Sequence, residues 1–130
     1  MESFNIDATS RTPALSIDPG TETMEMVGES YPEDVRSFFG TITERLASYF
    51  EAKPTALTVN IKLTYFNSSS ARALMELLDQ FEDAASDETA ITVNWYCDPD
   101  DDITREFAED IASEVTKVAV NILDLDADQD

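Results

Sequence analysis

Hydrophobic and polar positions alternate along several stretches of this chain and change to helical spacing between them. Leu57, Val59, Ile61 and Leu63 alternate with Thr58, Asn60, Lys62 and Thr64, the period-two signature of a strand with one dry and one wet face. Ile91, Val93, Trp95 and Cys97 repeat the pattern against Thr92, Asn94 and Tyr96, and Val118, Val120 and Ile122 form a last, shorter strand. Near the start, Leu15 with Ile17 and Met24 with Met26 flank Asp18-Pro19-Gly20, whose proline and glycine favour a turn and predict an antiparallel hairpin. Between these strands the period changes. Val35, Phe38, Phe39, Ile42, Leu46 and Tyr49 make a helical stripe that starts after Pro32 and stops at Lys53-Pro54. A second stripe, Ala71, Leu74, Met75, Leu78 and Phe81, follows Ser68, and a third is carried by Ile103, Phe107, Ile111 and Val115. The aromatic residues Phe38, Phe39, Tyr49 and Phe50, and the Trp95-Tyr96 pair, read mostly as core.

The order is strand, strand, helix, strand, helix, strand, helix, strand. Strands joined through a helix run parallel with a right-handed crossover, and successive crossovers in one direction put their helices on one side. The polar phase Asn60, Asn94 and Asn121 agrees, because strands covered on both faces read as unbroken apolar runs. The predicted fold is therefore α/β, a two-layer sandwich with a mixed sheet of about five strands and helices mainly on one face. Residues 1–12 are polar and aperiodic and are expected to be flexible, residues 13–124 to form a single domain, and residues 125–130 to form an acidic tail.

At 130 residues and 42% hydrophobic composition, the chain suits one core rather than two. Eight Lys and Arg stand against 28 Asp and Glu, a formal charge of −20 that repels phosphate backbones and argues against nucleic acid as a partner. So acidic a surface is otherwise a solvated one, of the kind suited to a saline habitat. Cys97 is the only cysteine, so no intrachain disulfide forms. The first residues lack a basic and an apolar signal region, and no apolar run approaches a membrane span, so the expected location is the cytoplasm, without membrane insertion.

Candidate chemistry concentrates in Tyr65-Phe66-Asn67-Ser68-Ser69-Ser70-Ala71-Arg72, where a strand gives way to a helix. Asn67 or a serine there is a good helix cap, which is one reading of the hydroxyls. Three serines in succession exceed what a cap needs, and a phosphate at a helix start changes charge without breaking the fold, which is the second reading. Ser68 is the expected acceptor, with Ser69 and Ser70 as alternatives. Tyr65, Phe66, Asn67, Ser69 and Arg72 are expected to face a partner, joined by Tyr31 from Ser30-Tyr31-Pro32-Glu33. Asp98, Asp100, Asp102 and Glu109 match positions one, three, five and twelve of a calcium loop, but Ile103 stands where that loop needs glycine, so calcium is a weak alternative. The same acids suit the cap and first turn of the third helix. With no histidine and no phosphate-cradling glycine loop, the sequence offers no catalytic constellation or cofactor site, and a binding role is expected over an enzymatic one.

A strand ending in Asn67-Ser68-Ser69 before an apolar helix resembles the switch of STAS domains, the anti-sigma-factor antagonists phosphorylated on serine at this junction. The chain is more fully similar to the SiaC family of bacterial regulatory phosphoproteins. The likeness runs through Gly28-Glu29-Ser30-Tyr31-Pro32-Glu33, Leu63-Thr64-Tyr65-Phe66-Asn67-Ser68-Ser69-Ser70, and Trp95-Tyr96 with Asp98, and covers about residues 12–124. It implies a STAS-like sandwich and a partner-switching circuit in c-di-GMP signalling and biofilm control. In that circuit a protein kinase phosphorylates the residue after the motif asparagine, here Ser68. A metal-dependent Ser/Thr phosphatase reverses the modification, and the unmodified form binds and activates a diguanylate cyclase. The family pattern has threonine at the acceptor, whereas this chain has serine, which keeps the hydroxyl chemistry. The STAS resemblance alone implies a different partner, an anti-sigma kinase.

Overall fold

The structure is a computed structural model that describes residues 2–125. The alternating segments pair into one six-stranded sheet with strands in chain order. The strands are β1 (Phe4–Ile6), β2 (Ala14–Asp18), β3 (Thr23–Ser30), β4 (Ala56–Phe66), β5 (Ala90–Cys97) and β6 (Ala119–Asp124). The helices are α1 (Val35–Glu51), α2 (Ser68–Ala84) and α3 (Asp102–Glu114). Strands β1, β2 and β3 are antiparallel neighbours, and β3, β4, β5 and β6 run parallel. Each helix joins two adjacent parallel strands, so crossovers of one hand, stepping the same way across the sheet, bring all three helices to one face.

That face is dry. Leu57, Val59 and Ile61 of β4 and Ile91, Val93 and Trp95 of β5 are buried, and they meet Ile42 and Leu46 of α1, Leu74, Leu77 and Phe81 of α2, and Ile111 of α3. Each such side chain contributes about 1.5–3 kcal/mol by leaving water. The other face is polar. Asn60, Asn94 and Asn121 stand in register and form a ladder, with Asn94 donating to Asn60 at 3.1 Å and Asn121 donating to Asn94 at 3.0 Å. Lys62 pairs with Glu25 at 3.6 Å and lies over the Tyr96 ring at 5.2 Å.

Four details depart from the sequence reading. Phe4–Ile6, within the segment read as flexible, pairs with β2 as a sixth strand and turns Phe4 toward Arg45, which lies 4.5 Å from its ring centre. The α2 stripe is Ser70, Ala73, Leu74, Leu77, Leu78 and Phe81, so Met75 is exposed where a core position was expected. Ile103 is 82% exposed rather than part of the α3 stripe, whose buried residues are Ala108 and Ile111. Val115 ends that helix in an extended conformation instead of continuing it. Residues 126–130 of the expected acidic tail lie outside the described residues.

One irregularity decides which side chains meet at the end of the sheet. Gly28 pairs with Leu63 but Glu29 pairs with Tyr65, so Thr64 is an extra residue in β4. Because side chains alternate strictly along a strand, one extra residue exchanges the two faces beyond it. Phe66 therefore turns inward and Tyr65 outward, the reverse of what uninterrupted alternation from Leu63 gives. Gly28 sits at φ +128°, a conformation L side chains rarely adopt, and a Cβ there would lie 3.4 Å from Pro13 Cα.

At the opposite end, Glu82 closes the connection between α3 and β6. Its carboxylate accepts hydrogen bonds from the backbone N–H groups of Thr116, Lys117 and Val118 and from the Thr116 hydroxyl, at 2.9–3.1 Å. The Thr116 N–H leads the donors that pull the Glu82 pKa down from 4.5 to about 2. Folding thus favours the ionised form, so its stabilisation is complete above pH 4.5 and disappears as the pH falls toward 2. Thermal denaturation across that window should show Glu82→Gln less stable than the parent at neutral pH, with the difference narrowing as acid is added. A constant difference down to the acid limit would contradict the assignment.

Candidate functional site

Strands β3, β4 and β5 are parallel, so their carboxyl ends and the connections to α1, α2 and α3 gather at one edge of the sheet. In open α/β sheets this is the edge that carries binding sites. The β4–α2 junction lies at its centre. Asn67 is extended, at φ −88° and ψ 177°, and caps α2 by accepting the Ser70 N–H on Oδ1 at 2.9 Å. Its own N–H donates to the Ser30 carbonyl at 3.2 Å, which ties the helix start to the end of β3. Ser70 and Ser30 are both fully buried with hydroxyls 2.9 Å apart.

The three serines therefore divide by environment. Ser70 is committed to the interior, whereas Ser68 and Ser69 are exposed in the first turn of α2. Two clefts meet at Ser68. One, of about 350 Å³, lies between the junction and α3 and is bordered by Tyr65, Phe66, Ile103 and Phe107. The other, of about 570 Å³, lies between α1 and α2 and is bordered by Arg36, Phe39, Thr43, Ser69 and Arg72.

Around the first cleft the surface is apolar and anchored from below. Phe66 packs on Phe107 at 5.3 Å between ring centres, and Phe107 meets the buried Trp95 edge-on at 5.8 Å. Above this stack, Tyr65 is 51% exposed and Ile103 82% exposed. Tyr31 touches Tyr65 edge-on at 5.8 Å, so the β3–α1 connection reaches the same patch. The Tyr31 N–H donates to the Arg11 carbonyl at 2.7 Å, and Arg11 pairs with Glu33, which fixes that connection from the other side.

The calcium candidates do not converge. Asp98 accepts the Asp100 N–H at 2.9 Å to close a turn, and Asp101 rather than Asp102 caps α3 by accepting the Thr104 N–H at 3.0 Å. Hydrogen bonds from Thr104 hold the Asp101 carboxyl below its usual range. Asp98 and Asp100 are therefore turn residues, Asp102 stands in the first turn of α3 and Glu109 in its middle, and among the described residues no three His, Cys, Asp or Glu side chains gather around a possible ion. Burial pushes the Cys97 thiol up, away from the thiolate a nucleophile needs. Among the described residues no helix is long and apolar enough to cross a membrane.

Residues 6–125 match the profile of the SiaC family regulatory phosphoproteins. The chain belongs to the SiaC family. Apo-SiaC from Pseudomonas aeruginosa superimposes with a TM-score of 0.85 at 27% identity, over 95% of this chain and 99% of that one. SiaC in a complex described as the diguanylate cyclase SiaD with its activator gives a TM-score of 0.82 at 26% identity, over 92% and 98% of the two chains. A further relative, an uncharacterized protein of Pseudomonas aeruginosa strain UCBPP-PA14, is 29% identical over 110 residues, 85% of this chain and 87% of its own. The α/β architecture with a mixed sheet and three helices is that of the SiaC structures.

Sequence reasoning missed three residues of this edge. Ile103 was placed in the core stripe, although its position directly after an acidic run, Asp100-Asp101-Asp102, was a signal of exposure. Arg36 carried no signal, because its cleft exists only once α1 packs on α2. Ser30 stands in the Ser30-Tyr31-Pro32-Glu33 motif, but nothing local pointed to its pairing with Ser70, which lies 40 residues away. The Ser30–Ser70 pair makes a direct prediction for urea unfolding. Ser30→Ala or Ser70→Ala alone strands a buried hydroxyl and should cost about 1–3 kcal/mol, whereas the double variant should cost clearly less than their sum. Strict additivity would show that the two hydroxyls do not depend on each other.

Proposed function

We propose that this chain is the phosphorylation-controlled activator of a diguanylate cyclase, with Ser68 as the acceptor. The observation that carries the reading is the position of Ser68, exposed at the rim of the Tyr65–Ile103 patch while Asn67 and Ser70 hold the backbone on either side. The family description as regulatory phosphoproteins supports a phosphate-dependent role, and the complex of Pseudomonas aeruginosa SiaC with SiaD supports a cyclase as effector. In this reading the unmodified chain docks through Tyr65, Phe66 and Ile103, with Tyr31, Asn67, Ser69 and Arg72 at the margin. A protein kinase modifies Ser68 and a metal-dependent Ser/Thr phosphatase restores it.

The physics of the switch is desolvation. An apolar patch is covered favourably by a partner, but a phosphate at its rim adds roughly −1.5 to −2 charges that must be stripped of water on docking. The Asn67 cap and the buried Ser70 leave the fold indifferent to that change, because neither hydrogen bond uses the Ser68 side chain. Ser69 is the secondary acceptor in this reading; Ser70 is withdrawn from that role by its burial.

Binding to the diguanylate cyclase of the same cell should be retained by Ser68→Ala and weakened at least tenfold by Ser68→Asp and by Ile103→Asp, all three with parental thermal midpoints. Isothermal titration decides the matter. Equal affinity of Ser68→Ala and Ser68→Asp would remove Ser68 from the switch, and full affinity of Ile103→Asp would remove the patch from the docking face.

A further inference from the structure

We propose that the cleft between α1 and α2 is an anion site in which Arg36 and Arg72 grip the phosphoryl group carried by Ser68. This rests on Ser68 being the acceptor and adds where its phosphate goes. Cations are scarce in this chain, eight against 28 acids. Arg11, Lys62 and Arg105 have carboxylate partners, and Arg45 covers the Phe4 ring. Arg36 and Arg72 instead border one cleft with Ser68 and Ser69, and among the described residues neither closes an ion pair with a carboxylate. Glu76 borders the same cleft and pairs with neither.

Spacing and chemistry fit a phosphate on Ser68. Ser68 and Arg72 are four residues apart on α2, so they lie on one face about 5–6 Å apart at Cβ. Arg36 approaches the same space from the first turn of α1. A guanidinium presents parallel N–H donors that match two phosphate oxygens, and two of them suit a dianion. The neutral serine hydroxyl needs neither arginine, so both are available when the phosphate arrives. Without them the dianion would stand in the field of a chain already at −20. With them it is drawn toward the α1–α2 side of Ser68 and takes a fixed position there. The modified protein is then a defined second state, in which the arginines are also closed to carboxylates of a partner.

The test uses the full chain with phosphoserine encoded at position 68 during translation, so that no kinase is needed and its result is separate from whether cells modify Ser68. Proton–nitrogen spectra of the arginine Nε–H groups are compared in the unmodified and phosphorylated chains, assigned with Arg36→Gln and Arg72→Gln, with Arg45 as the reference. Both cleft signals should move downfield and exchange with water several-fold more slowly on phosphorylation, while Arg45 stays unchanged. Phosphorylation should also leave the parent's thermal midpoint unchanged while lowering that of the Arg36→Gln/Arg72→Gln double variant. In a parallel arm, inorganic phosphate added to the unmodified chain should leave the cleft signals unmoved up to a concentration equal to that of physiological salt. Unchanged arginine signals in the phosphorylated chain, or an equal midpoint shift with and without the arginines, would overturn the proposal. Saturation of the cleft by free inorganic phosphate in the unmodified chain would overturn it too, by assigning the site to a diffusible anion.

Discussion

The Asn67 backbone N–H reaches the Ser30 carbonyl, the Asn67 side chain holds the Ser70 N–H, and the Ser70 hydroxyl returns to Ser30 inside the core. This loop of hydrogen bonds fastens the start of α2, where the chain leaves β4, to the end of the neighbouring strand β3. Each bond contributes about 0.5–1.5 kcal/mol net, but breaking one strands a buried partner at greater cost. Its constraint is more geometric than energetic. With Ser70 locked inward, the helical repeat of α2 turns Ser68 and Ser69 outward, and with Ser30 locked, Tyr31 leaves the sheet toward Tyr65. The exposed Ser68, the patch beside it and the cleft behind it all follow from that arrangement.

The β4 irregularity completes the edge. Had β4 kept unbroken alternation from Leu63 through Thr64, Tyr65 would face the core and Phe66 the solvent, and the aromatic stack on Phe107 and Trp95 would lose its top member. The irregularity at Thr64 thus sets Phe66 as the anchor of the patch and Tyr65 as its exposed surface. The same edge also gathers chemistry of opposite kinds. One side of Ser68 is apolar, toward Ile103, and the other carries two arginines, toward α1. A change of charge at Ser68 would be felt by both.

Much of the fold was legible in the sequence because a half-wet sheet writes its period into every strand. Leu57 to Leu63 and Ile91 to Cys97 alternate cleanly, and the order of elements then leaves one side for the helices. Three residues are too few for a period, so Phe4–Ile6 could not be told from loop. The α2 stripe was misplaced because Met75 and Leu77 flank the Leu74–Leu78 line on either side, and hydrophobicity alone does not choose between them. The buried Ser70 makes the choice, and it depends on a hydroxyl 40 residues away that no local pattern contains. Ser68 was singled out as a candidate through its junction and its family motif. Ile103 was not, because an isolated isoleucine at helical spacing reads as core until its neighbours are known, and Arg36 joins the edge only through the packing of α1 on α2.

The central claim is that Ser68 is the modified hydroxyl of a switch that releases a cyclase. Site mapping of the chain isolated from its native cells, before and after phosphatase treatment, paired with recovery of bound proteins from each form, tests it most directly. The account predicts a phosphate on Ser68, none on the buried Ser70, and a diguanylate cyclase recovered with the dephosphorylated form alone. A Ser68 that stays unmodified in every growth condition, or a cyclase recovered equally with both forms, would contradict it.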